Sequence, residues 1–201
     1  MVKADCGGCE GCSRCCHGMG KSIILDPYDV YRMTTGMGKS MQELLAASVE
    51  FNVVDGVILP NLKMQGTEEA CAYLDEEGRC SIHPYRPGIC RLFPLGRYYE
   101  NGGFSYFLQT GECAKENRSK IKVSKWIDTP DLTRNQQFTL QWHDLLHAME
   151  ERLTGEDEGK QKEENLLLLR LFYLLPYEGT IDFYTQFTER MEHWNGQNGQ
   201  I

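Results

Sequence analysis

Two patterns of apolar and polar residues divide this chain. From residue 138 onward the apolar positions follow a helical period over Phe138 to Leu153, Lys162 to Leu175 and Ile181 to Trp194, which predicts three helices that each bury one face. Breaks at Thr154-Gly155 to Gly159, and at Pro176 with Gly179, separate them. Upstream the elements are shorter. Asp26-Pro27 ahead of Tyr28 to Met33 predicts a capped helix with proline in its first turn, and Ser40 with Glu43 three residues on predicts a second helix over Ser40 to Ala47. Val53 to Met64 and Cys71 to Leu74 read as strands. Arg97 to Glu100 and Phe104 to Thr110 read as the arms of a hairpin around Asn101-Gly102-Gly103, because asparagine and glycine tolerate positive φ. The pattern changes near Trp126, which predicts an α+β fold. A part with short strands and helices spans 1–125, and a small helical unit, 126–201, packs on it.

Composition adds the chemistry. Cys6, Cys9, Cys12, Cys15 and Cys16 fall within eleven residues, and Cys71, Cys80, Cys90 and Cys113 follow. The residues between the first five are small or polar, so core packing does not explain the run. Disulfides are disfavoured: the count of nine cysteines is odd, Met-Val-Lys-Ala-Asp-Cys carries no apolar signal segment, and cysteines two residues apart rarely reach bridge geometry. The expectation is a reduced, cytoplasmic chain whose thiols hold metal. A C-x2-C turn lets two sulfurs converge on one ion, and the remaining ligands usually come from distant chain. Cys71, Cys80 and Cys90 are spaced widely enough to supply them, and Cys113 follows the predicted hairpin.

A length of 201 residues permits one domain or two modest ones. The net charge of −8 argues against a nucleic-acid or anionic-membrane partner, which needs a concentrated positive field. The most apolar run, Leu166 to Leu175, is short and interrupted by Arg170, so it reads as a buried helix and not as a membrane span. Ligating thiols are deprotonated, so a cluster in an acidic chain needs cations nearby. Arg14, Lys21, Arg79, Arg86, Arg91 and Arg97 are the candidates.

Cys9-Glu10-Gly11-Cys12-Ser13-Arg14-Cys15-Cys16 is continued by Cys71-Ala72-Tyr73-Leu74-Asp75 and by Cys80-Ser81-Ile82-His83-Pro84-Tyr85-Arg86-Pro87-Gly88-Ile89-Cys90-Arg91-Leu92-Phe93-Pro94. Over roughly residues 6 to 115 this closely resembles the YkgJ-type cysteine-cluster family, with its C-x2-C-x2-C-C signature and zinc- or iron-chelating domain. The resemblance implies metal on Cys9, Cys12, Cys15, Cys16, Cys71, Cys80, Cys90 and Cys113, with Cys6 outside the signature. The family includes proteins described as flagellin lysine N-methylases. The resemblance therefore also implies, as an alternative, a methylase using S-adenosylmethionine on a protein or peptide substrate. A third reading is a zinc-stapled adaptor that binds another protein.

Eight thiolates suit two four-sulfur zinc sites, whereas four suit one [4Fe-4S] cluster. Cys6, Cys9, Cys12 and Cys16 have the bacterial ferredoxin spacing, but His17 stands where that motif has proline. Soft all-thiolate ligation and the resemblance together favour iron-sulfur over zinc. Other signals read as structural. Gly20-Lys21-Ser22 and Gly38-Lys39-Ser40 lack the leading glycine of a phosphate loop. His143 and His147 fall on one helix face without a third ligand, and His83 reads as a turn residue. The aromatic stripe from Phe172 to Trp194 reads as core.

Overall fold

The computed structural model describes residues 1–5, 7, 12–115 and 117–198, so Cys6 and Cys9 lie outside the described residues. The chain forms β1 (Val2–Asp5), α1 (Pro27–Met37), α2 (Met41–Ala47), β2 (Val49–Val54), β3 (Val57–Leu62), β4 (Met64–Gln65) and β5 (Ala70–Cys71). It continues through α3 (Gly88–Leu92), β6 (Leu95–Glu100), β7 (Gly103–Leu108) and β8 (Ser119–Ile121). The last part is helical: α4 (Val123–Ile127), α5 (Leu132–Leu153), α6 (Glu158–Leu169) and α7 (Phe183–Asn198). The fold is α+β with a helical C-terminal part. Among the described residues the strands form two-stranded antiparallel sheets, pairing β1 with β8, β2 with β3, β4 with β5 and β6 with β7.

Local chemistry sets the helix starts. The Asp26 side chain accepts from the Asp29 N–H and the Asp29 side chain from the Asp26 N–H, a reciprocal cap completed by Pro27 in the first turn. Ser40 and Glu43 do the same for α2. Gly38 ends α1 at φ 64°, so Gly38-Lys39-Ser40 is one helix stop followed by the next helix start.

The hairpin around Asn101-Gly102 forms, with Arg97 opposite Tyr106 and Tyr99 opposite Phe104. Three expectations need correction. Val53 to Met64 is not one strand: Asp55 and Gly56 both take positive φ and turn the chain, so β2 and β3 pair as a hairpin. Asp-Gly between apolar runs is the signal for that turn. Cys71 to Leu74 extends only over Ala70–Cys71, and Leu74 instead makes a bridge with Cys80. The helix expected over Lys162 to Leu175 leaves α-geometry at Arg170, where a π-helical turn, Arg170–Leu174, follows α6.

One core joins the two parts of the chain. Leu25, Val30, Met33, Leu44 and Leu62 from the first part are buried in the same cluster as Phe138, Met149, Phe172, Phe183 and Trp194 from the second. Phe138 packs edge-on against Phe183 and Phe187, with centroids 5.0 and 4.8 Å apart. Each ring buried in this way contributes ~1.5–3 kcal/mol, so the aromatic stripe is core. Polar ties cross the same boundary. The Tyr173 hydroxyl donates to the Leu25 carbonyl at 3.1 Å. Asn165 accepts from the Ile58 N–H at 2.6 Å and donates to the Gly56 carbonyl at 3.1 Å. A second, smaller core gathers Leu92, Leu95 and Ile127 under the β6–β7 hairpin.

Candidate metal centre

Five cysteines from four separate stretches of sequence line one cavity. Cys15 and Cys16 come from a 3-10 turn, Arg14–Cys16, closed by the Cys16 N–H donating to the Ser13 carbonyl at 2.7 Å. Cys71 ends β5 against Met64, Cys80 bridges Leu74, and Cys90 sits in α3. All five face a cavity of about 440 Å3. Cys12 and Cys113 lie instead on a second, small cavity of about 30 Å3, with Arg14, Cys15 and Trp126. Cys15 borders both.

The backbone is arranged to receive thiolates. The Tyr73 N–H donates to the Cys71 sulfur and the Ile82 N–H to the Cys80 sulfur. These are the same i to i+2 contact at two places, and each favours the charged sulfur. Burial works against them and raises both thiols. Burial also pushes Cys90 well up, with the Asp29 carboxylate adding to the effect. Cys15 and Cys16 share a hydrogen bond that splits them: the Cys15 thiol is lowered to about 6, while Cys16, the donor, is raised. Without a metal the set is therefore mostly protonated and mutually repulsive once ionised. A bound cation reverses that balance, because its charge offsets the desolvation of each sulfur.

A buried latch holds Cys90 in place. Asp29 of α1 accepts from the Gly88 N–H at 2.6 Å, which ties down the start of α3. Arg91, one residue past Cys90, reaches Asp29 at 3.9 Å and Thr129 at 3.1 Å. Burial, and then the neighbouring Asp26 charge, push the Asp29 carboxyl up to about 7. The sequence shows Asp29 only as part of a helix cap; its pairing with α3 depends on contact across 59 positions.

The cations expected around the cluster separate into different roles. Arg86 lines the large cavity and lowers Cys15 and Cys80 by its charge. Arg14 lines the small one. Arg91 is turned to Asp29, Arg97 lies over the Phe104 ring at 5.5 Å, and Lys21 donates to Asn52. His83 is exposed in the 3-10 turn His83–Tyr85 and does not line the cavity. His143 stacks on Tyr99 at 3.8 Å, and His147 pairs with Glu151 at 3.5 Å, so this pair belongs to the helix surface.

The donor chemistry suits a soft metal, with sulfur on the cavity wall and no imidazole. Among the described residues, no three His, Cys, Asp or Glu side chains are gathered as a single-ion site. The thiols surround a space rather than a point. Among the described residues no helix is long and apolar enough to cross a membrane. No curated protein and no solved structure matches the chain. The family comparison gives one match, over residues 8–117, which takes in the whole run from Cys9 to Cys113 and more than half of the chain. The cavity with its sulfur lining therefore falls inside the matched segment, and the chain belongs to the CxxCxxCC family, described as "Putative zinc- or iron-chelating domain".

Proposed function

We propose that the chain is a metal-binding cysteine-cluster protein that carries an iron-sulfur cluster, with the four ligands of the principal site drawn from Cys15, Cys16, Cys71, Cys80 and Cys90. The observation that carries this reading is the shared cavity: five cysteines from four separate stretches of chain line about 440 Å3 with no imidazole among them. Zinc with four sulfurs holds each at ~2.3 Å from one point. A polynuclear cluster spreads its thiolates over a wider space, and that suits a cavity-sized arrangement better. Cys12 and Cys113, on the small cavity, belong in this proposal to a second metal position. A bound cluster supplies one-electron chemistry, and the protein's part is to hold the sulfurs, exclude water and offset part of their charge through Arg86 and Arg14.

The boundary near residue 125 enters the same proposal as a division of labour: the first part carries the sulfur, and the second closes its core. The odd number of cysteines fits a reducing, cytoplasmic setting. Lysine methylation and a zinc-stapled adaptor role rest on the resemblance or on composition and are not part of this reading.

The test is anaerobic purification with iron, sulfide and zinc measured per polypeptide, together with the visible spectrum. Iron and sulfide in equal amounts with thiolate-to-iron absorption are expected, and Cys90→Ser should lose most of that signal. Zinc alone, at full occupancy and without colour, would replace the cluster with a structural ion. Chelation should strip hydrogen-exchange protection from residues 12–16 and 71–90 and leave α5 to α7 protected, since the aromatic core holds those helices. Equal protection with and without chelator would refute metal as a structural component.

A further inference from the structure

The large cavity has more apolar wall than metal ligation needs. Its volume of about 440 Å3, which includes the space a bound metal would take, is within the ~300–1,000 Å3 range of small-molecule sites. Besides the cysteines and Met19, it is lined by Ile23, Leu62, Ile82, Phe93 and Leu95, whose side chains carry no atom that can ligate iron or zinc. Ile89 also lines it while remaining 40% exposed, so the apolar wall reaches the surface. An apolar wall keeps water from the sulfurs, and where it continues to the surface at Ile89 it extends beyond what ligation requires. It is the surface an organic molecule would bury.

Charge decides which molecule. Four thiolates on a divalent ion, or on a cluster core of the same charge, leave about two negative charges uncompensated. Among the other described lining residues Arg86 is the one cation and Glu112 the one carboxylate, so what Arg86 offsets at the sulfurs Glu112 adds back, and the sum stays negative. The cavity thus has a negative inner side, an apolar wall and two aromatic rings, Tyr73 and Phe93. Such rings attract a cation further through their faces. We infer that this cavity is a second binding site beside the metal, for an organic cation with an apolar body. The inference deepens the proposed function and rests on the metal being held there.

The test uses three probes that share one body and differ in charge: 4-phenylbutylamine, 4-phenylbutanol and 4-phenylbutyrate. They are titrated calorimetrically into metal-loaded protein, with metal content measured in every sample. The amine should bind at least tenfold more tightly than the carboxylate, with the alcohol between them. Glu112→Gln should narrow that ratio, and Ile89→Arg, at the exposed edge of the wall, should lose amine binding, both with metal content unchanged. Loaded protein that prefers the carboxylate, or binds none of the three, overturns this inference and leaves the metal reading intact. A chain that takes up no metal overturns both.

Discussion

Replacing Gly36 by alanine sets two effects of opposite sign against each other. In an open helix the change would stabilise by about 0.5–1 kcal/mol, because glycine loses more backbone freedom on folding. Here a Cβ at Gly36 would lie 2.3 Å from Cδ1, 2.4 Å from Cε1 and 2.9 Å from Cγ of Tyr85. The contact reaches the root of the ring and not only its far edge, so a small swing of the side chain does not relieve it. The backbone under Tyr85 is held too: its N–H donates to the Ile82 carbonyl at 2.7 Å, and Arg32 donates to the Pro84 carbonyl. Overpacking of this kind costs ~1–3 kcal/mol, so the clash wins and Gly36→Ala should destabilise by about 1 kcal/mol net. With Tyr85→Ala as background the clash disappears, and the same change should stabilise by about 0.5–1 kcal/mol. Urea unfolding of the four proteins of this cycle, all metal-loaded, measures a coupling of about 2 kcal/mol. If Gly36→Ala were stabilising with Tyr85 present, the close seating of the cysteine-bearing segment on α1 would be wrong.

The remaining predictions concern two buried charged groups. Arg190 is 5% exposed; it donates to the Leu171, Leu175 and Pro176 carbonyls at 2.6, 3.0 and 2.8 Å and lies 3.6 Å from the Tyr177 ring centre. Arg190→Met leaves those carbonyls at the end of the π-helical turn without a donor and should cost about 3 kcal/mol in thermal or urea unfolding, whereas a loss under about 0.5 kcal/mol would show the network to be idle. The Asp29 carboxyl rises from its ordinary 3.8 to about 7 on folding, so the folded chain keeps a proton that the unfolded chain releases. Its contribution is therefore greatest at the acid end and is lost as pH rises from about 4 to about 7, by at most ~1.4 kcal/mol per pH unit. The stability difference between wild type and Asp29→Asn should shrink across that window, and parallel pH curves would refute the burial argument.

The parts of this protein that depend on neighbours in sequence were legible in the sequence. The caps at Asp26 and Ser40 act within four residues, the Asn101-Gly102 turn needs only local φ freedom, and the helical period of 138–194 reports its own buried face. The cysteine signature likewise identified the family, because thiols two residues apart have few other uses. The Asp55-Gly56 turn was equally local and legible, but the apolar run around it concealed it. Tertiary structure alone decided which sulfurs share a space. Cys15, Cys16, Cys71, Cys80 and Cys90 meet on one cavity, while Cys12 and Cys113 meet on another, and no spacing encodes that sorting. It follows from α1 packing on the His83–Tyr85 turn and from Asp29 anchoring α3, contacts such as Arg32 with Pro84 and Asp29 with Gly88 that lie 52 and 59 positions apart. Such contacts form only when the common core brings those elements together. A sequence pattern records what each segment would bury, but not which partner buries it.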